Sequence, residues 1–486
     1  MNDNIFQHFF QAQKNLSAKF IETDKAEIIS YEDVFNLSGQ IANALVAAGL
    51  KPDDRVAAQV EKSVTALALY LAVVRCGAIF LPLNTAYTES EMAYFLGDAE
   101  PRILVCDPSR SMSGNFTTLT LNANNTGSLV DLAQSQSAHF ETALRKPDDL
   151  AAILYTSGTT GKSKGAMLSH GNLLSNAKSL VNIWRFTADD ILIHALPTYH
   201  THGLFVATNT IILASASMIY LPKFDAKQII NFMPRATTLM GVPTFYTRLL
   251  DHSELNHDRV KNIRLFISGS APLLAETHRE WSAKTGHAIL ERYGMTETNM
   301  NSSNPYEGKR IAGSVGFPLP DIDIRIDASR GEIGMIEIKG PNVFKGYWRN
   351  PEKTAAEFRD GYFISGDLGR FDEHGYLYIV GRGKDLVITG GFNVYPIEIE
   401  NEIDAIEGVL ESAVIGVPHK DFGEAVTAIV VRSGAVTEAE IRSALQIKLA
   451  KFKQPKAIIF IETLPRNAMG KVQKNVLREM FKSPSP

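Results

Sequence analysis

An α/β fold, with a large N-terminal domain of α/β sheets carrying a β-rich subdomain and a small mobile α+β C-terminal domain, is predicted by three observations. Strand-like and helix-like segments alternate from about residue 25 to 325, the rhythm of mostly parallel sheets flanked by helices. Between 330 and 382 the pattern changes to short β pieces, and after Arg382 to helices and strands that make a compact unit of about a hundred residues. A chain of 486 residues is also too long for one hydrophobic core.

Each element follows from local pattern. "YEDVFNLSGQIANALVAAGL" spaces its apolar residues helically and stops at Gly49. "DRVAAQV" reads as a strand, "VTALALYLAVVRCG" as a helix, and "AIFLPL" and "RILVCD" as strands again. The theme returns in "AAILYTS", "ILIHALP", "ASMIYLP", "TTLMGVP" and "IRLFISGSA", strands that run into Gly/Pro/Ser loops. In open α/β sheets, ligands collect at such carboxyl ends. "GMIEIKG", "GYFISGD" and "GYLYIVGR" form the β-rich stretch. The linker "GRGKDL" suits a hinge, Pro396 opens a helix, and a second helix, "TEAEIRSALQIKLAKF", precedes a last strand, "AIIFIE". The expected boundary puts residues 1–382 in the N-terminal domain and 383–486 in the C-terminal one.

Composition is that of a soluble globular protein, with 45% hydrophobic and 21% charged residues. A formal net charge of −4 gives no electrostatic reason to expect nucleic acid or an anionic membrane as partner. Cys76 and Cys106 lack metal spacing and are expected to be buried thiols in a reducing compartment. No secretory leader is read at the N-terminus, and Arg75 interrupts the most apolar window, so a cytoplasmic protein is expected.

Five stretches carry polar chemistry. "YTSGTTGKSKG" is rich in glycine, hydroxyls and lysine, which suits a loop around phosphates. Only two residues separate Gly158 from Gly161, and a strand follows instead of a helix, so it is not the common Gly-Lys-Ser/Thr phosphate loop. "ERYGMTETN" offers Tyr293 for stacking on a purine, Thr296 for a phosphate and Glu297 for Mg²⁺. "LPTYHTHG" brings His200 and His202 together without completing a zinc set, so a pocket-lining histidine is expected. Asp367 in "FISGDLGR" sits at a strand end, where an acid serves either a turn or ribose hydroxyls. Lys471 in "LPRNAMGKVQK" is a point charge able to neutralise a phosphate, or else a solvated surface lysine.

In this order, "YTSGTTGKSKG", "SGSAP", "YGMTET", "SGD", "GRGKDLVITGGFNVYPIEIE" and "PRNAMGK" resemble the adenylate-forming acyl-CoA synthetase superfamily, over about residues 25 to 478. "VPTFYTRLL", "FISGSAPLLAETHREW", "YGMTETNMNSSNPY" and "GPNVFKGYW" are similar to the branch that makes malonyl-CoA. The resemblance implies a two-step ligase that joins malonate and coenzyme A through malonyl-adenylate, releasing AMP and pyrophosphate. Methylmalonate or another small carboxylate is the alternative acid. It further implies that Thr156, Ser157, Gly158, Thr159, Thr160, Gly161, Lys162, Ser163 and Lys164 hold the ATP phosphates, with Thr156 and Glu297 toward Mg²⁺. Ser270, Ala271 and Pro272 line the adenine, Tyr293 stacks on it, and Thr296 and Glu297 meet the α-phosphate. By the same resemblance, Asp367 and Arg382 would bind ribose, Lys384 would be the hinge, Gly391 would face coenzyme A, and Lys471 would act in adenylation, where acetylation would remove its charge. Asn393 replaces an arginine that several members carry, so that phosphate contact is not expected.

A dicarboxylate needs a cation for its second acid group, and arginine matches a carboxylate bidentately. Arg248 in "TFYTRLL" is the expected residue and Arg279 in "THREW" the alternative, with His202 and Met300 shaping the space around the central carbon.

Overall fold

The computed structural model describes residues 2–110, 112–156, 163–329, 331–390, 392–419, 421–467 and 470–482. The chain packs as two units. The first holds Met1–Leu273, Thr277–Ile324 and Ile338–Phe363, and the second Leu274–Glu276, Arg325–Glu337 and Ile364–Pro486. This is the α/β architecture expected. By packing, the second unit takes in chain well before residue 382.

Among the described residues, the first unit contains two sheets with parallel centres. One runs in the order Thr117–Thr120, Ile103–Cys106, Arg55–Gln59, Ile79–Pro82, Leu150–Thr156, Lys164–Ser169, parallel except for its last pair. The other is nine-stranded, and its six mutually parallel strands include Ile191–His194, Thr238–Gly241, Leu265–Ser268 and Leu290–Met295. Strands such as Ile103–Cys106 and Leu265–Ser268 are buried along their whole length, which is why they read as unbroken apolar runs. Candidate site residues follow the carboxyl ends of His194, Ser268 and Thr156, as open α/β sheets require.

Helix ends obey local chemistry. Ser30 and Asp33, Thr88 and Glu91, and Ser169 and Asn172 form reciprocal capping boxes that start three helices. The helix Tyr31–Ala47 stops where Gly49 takes φ +91°, letting Leu50 N–H bond Leu45 O at 3.0 Å. A glycine suits that backbone because it carries no Cβ.

The second unit is built on the antiparallel pair Val409–His419 and Gly423–Arg432, with Ala457–Ile461 added parallel to the latter. Helices Pro396–Asp404 and Glu438–Lys448 bury Ile399, Ile403, Ile441 and Leu445 in one core, while Leu477 of Lys474–Met480 buries against Ile415 and Ile429 in another. The linker "GRGKDL" forms the short 3₁₀ turn Gly383–Asp385. The same unit holds the antiparallel pairing of Asp367 with Arg382.

One buried ion pair ties the first unit's parallel sheet to the chain before it. Asp190 is 3% exposed and takes Arg264 Nε at 2.7 Å and Nη2 at 2.8 Å, plus the Thr237 hydroxyl at 2.7 Å. Burial alone would raise the carboxyl pKa, but the hydrogen bonds from Arg264 and Thr237 hold it below its ordinary value. A depressed carboxylate stabilises the fold above its unfolded pKa, and that contribution disappears as pH falls through the folded value. We therefore expect Asp190→Asn to lower unfolding free energy by about 3 kcal/mol at neutral pH, with the difference shrinking below about pH 4. Urea titrations at both pH values check this, and a difference independent of pH would contradict it.

Candidate active site

The strands Leu150–Thr156 and Lys164–Ser169 pair antiparallel with Thr156 opposite Lys164, forming the stem of the Gly/Ser/Thr loop. Ser157, Gly158, Thr159, Thr160, Gly161 and Lys162 lie outside the described residues. At the stem the Thr156 hydroxyl lies 3.4 Å from Glu297 Oε1. The Tyr347 hydroxyl is 3.1 Å from the same oxygen and 2.5 Å from Glu357 Oε2. Lys164 Nζ lies 3.5 Å from Glu357 Oε1 and 5.0 Å over the Tyr347 ring, and Lys353 Nζ is 2.6 Å from Glu357 Oε1.

A phenol has one proton to give, and the shorter contact assigns it to Glu357. Burial and then Glu297 push the Tyr347 pKa up, so the group stays a phenol at all working pH. Burial would also raise Glu357, yet Lys353, Tyr347 and Lys164 keep it below the ordinary range. Tyr347 and Glu357 thus brace both the loop stem and Glu297, a role that the sequence pattern did not suggest.

The stretch Glu291–Asn299 is a tight hairpin and not a loop. Leu290–Met295 pairs antiparallel with Asn299–Ser303, and Thr296 and Glu297 occupy the turn between them. Gly294 permits the close pairing, since a Cβ there would fall 2.0 Å from Asn299 O. Tyr293 and Met300 are buried in the two strands, and Met300 O accepts from Asn176 Nδ2 at 2.8 Å.

A second cluster gathers at the carboxyl ends of the nine-stranded sheet. His202 is 1% exposed, with Nδ1 3.2 Å from the Ser270 hydroxyl, and its Nε2 has no hydrogen-bond partner among the described residues. Ser270 holds φ +73°, a strained conformation for a residue with a Cβ. Ala271 is half-buried and Pro272 exposed beside it. Arg292 is 3% exposed, and its Nε and Nη2 have no hydrogen-bond partner among the described residues. Its guanidinium packs over Gly269, where a Cβ would lie 2.5 Å from Cζ. Burial lowers the Arg292 pKa to about 9, which leaves it charged at neutral pH. Burial first, and then the Arg292 charge, hold the His202 pKa well below its ordinary value.

Arg248 sits on the exposed face of the helix Pro243–Leu250 with its guanidinium 5.8 Å over the Phe224 ring, and Arg279 is also exposed. Neither shares the burial of His202 and Met300 that their expected role beside those residues implies. Arg292 does, and its signal in the sequence is a charge amid the apolar strand "AILERYG". His202 also opens a π-helix, His202–Asn209, which periodicity did not announce.

In the second unit, Asp367 is 4% exposed and bonds Arg382 Nε at 2.9 Å across the strand pair. Lys384 follows in the 3₁₀ turn, where burial lowers its pKa. Crowding around the Lys471 ammonium, followed by the Arg382 charge, lowers its pKa to about 8, although the side chain as a whole keeps an exposed surface. Asp367, Arg382, Lys384 and Lys471 therefore share one electrostatic neighbourhood. Gly391 lies outside the described residues.

A family model described as AMP-binding enzyme matches residues 8–348, and one described as AMP-binding enzyme C-terminal domain matches residues 398–471. A malonate–CoA ligase of Arabidopsis thaliana is 36% identical over 453 residues, covering 84% of this chain and 74% of that protein. An oxalate–CoA ligase of the same plant is 33% identical over 485 residues, covering 93% of each. The crystal structure of ATP-bound MatB from Rhodopseudomonas palustris superposes with a TM-score of 0.97 at 61% identity, covering 99% of each chain.

The depressed His202 pKa has a direct test. Its imidazole is expected to stay neutral from pH 8 to about pH 6 in nuclear magnetic resonance spectra of labelled protein, since folding penalises its protonation. A titration midpoint near the ordinary 6.5 would contradict the buried, Arg292-facing environment.

Proposed function

The chain belongs to the AMP-binding enzyme family, and on that premise we propose that it is an ATP-dependent malonate–CoA ligase, a malonyl-CoA synthetase. The observation that carries the acid's identity is Arg292, a buried guanidinium with unfilled hydrogen-bonding atoms beside His202 and Ser270. A buried unpaired charge is costly, and a carboxylate supplies both the missing charge and the missing acceptors. Malonate presents one carboxylate for reaction and a second for Arg292, which replaces Arg248 and Arg279 in this role. The neutral His202 adds a hydrogen-bonding atom without a second charge, and Met300 limits the space around the central carbon.

The chemistry proceeds in two displacements. One malonate carboxylate oxygen attacks the α-phosphorus of ATP, the bond to the β-phosphate oxygen breaks, and pyrophosphate leaves. The thiol of coenzyme A then attacks the acyl carbon, loses its proton and expels AMP. The carboxylate is already a nucleophile, so the first step needs positioning and charge neutralisation more than a base. The loop from Thr156 to Lys164 holds the phosphates, braced through Glu357 and Tyr347. Ser270, Ala271, Pro272 and Tyr293 take the adenine, and Asp367 with Arg382 the ribose. Thr296 meets the α-phosphate, and Lys471 neutralises the charge that develops there.

Thr156 and Glu297 offer hydroxyl and carboxylate oxygens 3.4 Å apart, a hard donor pair that fits Mg²⁺. Bound there, the ion would neutralise phosphate oxygens. Lys384 is proposed as the pivot between the domains 1–382 and 383–486, and Gly391 as a coenzyme A contact. Acetylation of Lys471 would abolish its charge and with it the first step. No helix among the described residues is long and apolar enough to cross a membrane, and the two free buried cysteines support a cytoplasmic setting.

Pyrophosphate release across malonate, methylmalonate, oxalate and acetate tests the reading. Malonate is expected to give the highest kcat/KM, and a higher value for any other acid would remove it. Arg292→Met is expected to lower kcat/KM for malonate by about 100-fold or more while the KM for ATP stays put. A parallel loss in the ATP parameter would assign Arg292 elsewhere. Lys471 loses its charge as pH rises through about 8. Accordingly, kcat/KM for ATP is expected to fall above that pH in the wild type, and Lys471→Ala to lack this limb.

A further inference from the structure

Between the strand Arg55–Gln59 and the helix Val64–Arg75 the chain places Lys62, far in sequence from any residue assigned to the reaction. Its Nζ lies 2.9 Å from His194 Nδ1, 2.8 Å from His194 O and 4.2 Å over the Tyr220 ring. His194 is fully buried at the end of its strand. On the other side of its ring, Nε2 lies 2.9 Å from Gly203 O and 3.2 Å from the Thr208 hydroxyl, which itself donates to Gly203 O at 2.9 Å. A carbonyl only accepts, so Nε2 carries the imidazole proton and Nδ1 receives an N–H of Lys62.

Gly203 directly follows His202 in the π-helix His202–Asn209. That element is a rare and locally strained one, and it persists where neighbours hold it. Here the hold is close: a Cβ on Gly203 would fall 2.0 Å from Pro197 O. Two side chains converge on the Gly203 carbonyl, and the chain of contacts behind them ends at Lys62.

We infer that Lys62 and His194 are positioning residues for the acid pocket: the Lys62 amine orients the His194 imidazole, which clamps the Gly203 carbonyl and so holds His202 against Ser270. The inference rests on the reading that His202 lines the acid site. Lys62 has no carboxylate partner in these contacts, so ion pairing does not account for its place. A merely structural role would also be met by an apolar side chain at lower desolvation cost. Burial lowers the Lys62 pKa well below its ordinary value, and the amine, charged or neutral, has the two N–H donors that His194 takes.

The test reads acid and ATP kinetics separately in the full-length enzyme, using whichever acid the wild type turns over best. A failure of malonate in the wild type thus strikes the proposed substrate and leaves the positioning claim measurable. Lys62→Met is expected to raise the acid KM by about tenfold with the KM for ATP unchanged. The Lys62→Met/His194→Leu double variant is expected to be no worse than His194→Leu alone, because Lys62 acts through His194. Thr208→Val, which removes only one contact to the Gly203 carbonyl, is expected to raise the acid KM by about threefold and stands in if the other variants do not fold. An unchanged acid KM in Lys62→Met or Thr208→Val, effects that multiply in the double variant, or equal rises in both KM values would each overturn the inference.

Discussion

A guanidinium buried with two of its nitrogens lacking a hydrogen-bond partner among the described residues is the constraint around which the first unit's proposed site is arranged. Such a charge is unfavourable in a protein interior, and Arg292 is only 3% exposed. Gly269 gives it room by having no Cβ, and Ser270 accepts a left-handed conformation to turn its hydroxyl toward His202. The same charge helps keep His202 neutral, so the pocket holds one cation and a neutral ring. On the proposed reading, a carboxylate bound beside Arg292 would relieve the unpaired charge.

Around the Tyr347 hydroxyl of the first unit, charges of both signs meet. Glu297 and Glu357 converge on the Tyr347 hydroxyl, with Lys164 and Lys353 compensating Glu357. The hydroxyls of Thr156 and Tyr347 both reach Glu297 Oε1, at 3.4 and 3.1 Å. In the second unit, Arg382 both holds Asp367 and lowers the Lys471 pKa, so one arginine links the proposed ribose contact to the tuning of the proposed catalytic lysine. Lys62 and His194 extend the same logic, with a polar pair behind the pocket fixing a carbonyl beside His202.

Much of this fold was legible in sequence because its strands are buried on both faces and its helices carry explicit start and stop signals. The runs "RILVCD" and "IRLFISGSA" lie where the apolar pattern put them, and Gly49 ends its helix by the expected geometry. The loop stem and Glu297 were legible too, since each follows a strand in a recognisable order of motifs, whereas Asp367, read at a strand end, lies within the strand Tyr362–Phe371, paired with Arg382. Arg292 was not, because a charge inside an apolar strand gains meaning only from what packs against it, and Gly269 and His202 are distant in sequence. Arg248, expected in that role, lies on the exposed face of its helix. Tyr347 and Glu357 escaped for the same reason, since neither spacing nor composition reports that Tyr347 meets Glu297 or that Glu357 meets Lys164.

The most direct measurement of the central claim is a crystal structure with a non-hydrolysable sulfamoyl analogue of malonyl-adenylate. The account predicts the distal carboxylate paired with the Arg292 guanidinium and within hydrogen-bonding distance of His202 Nε2. A distal carboxylate held by Arg248 or Arg279, with Arg292 still unpartnered, would contradict it.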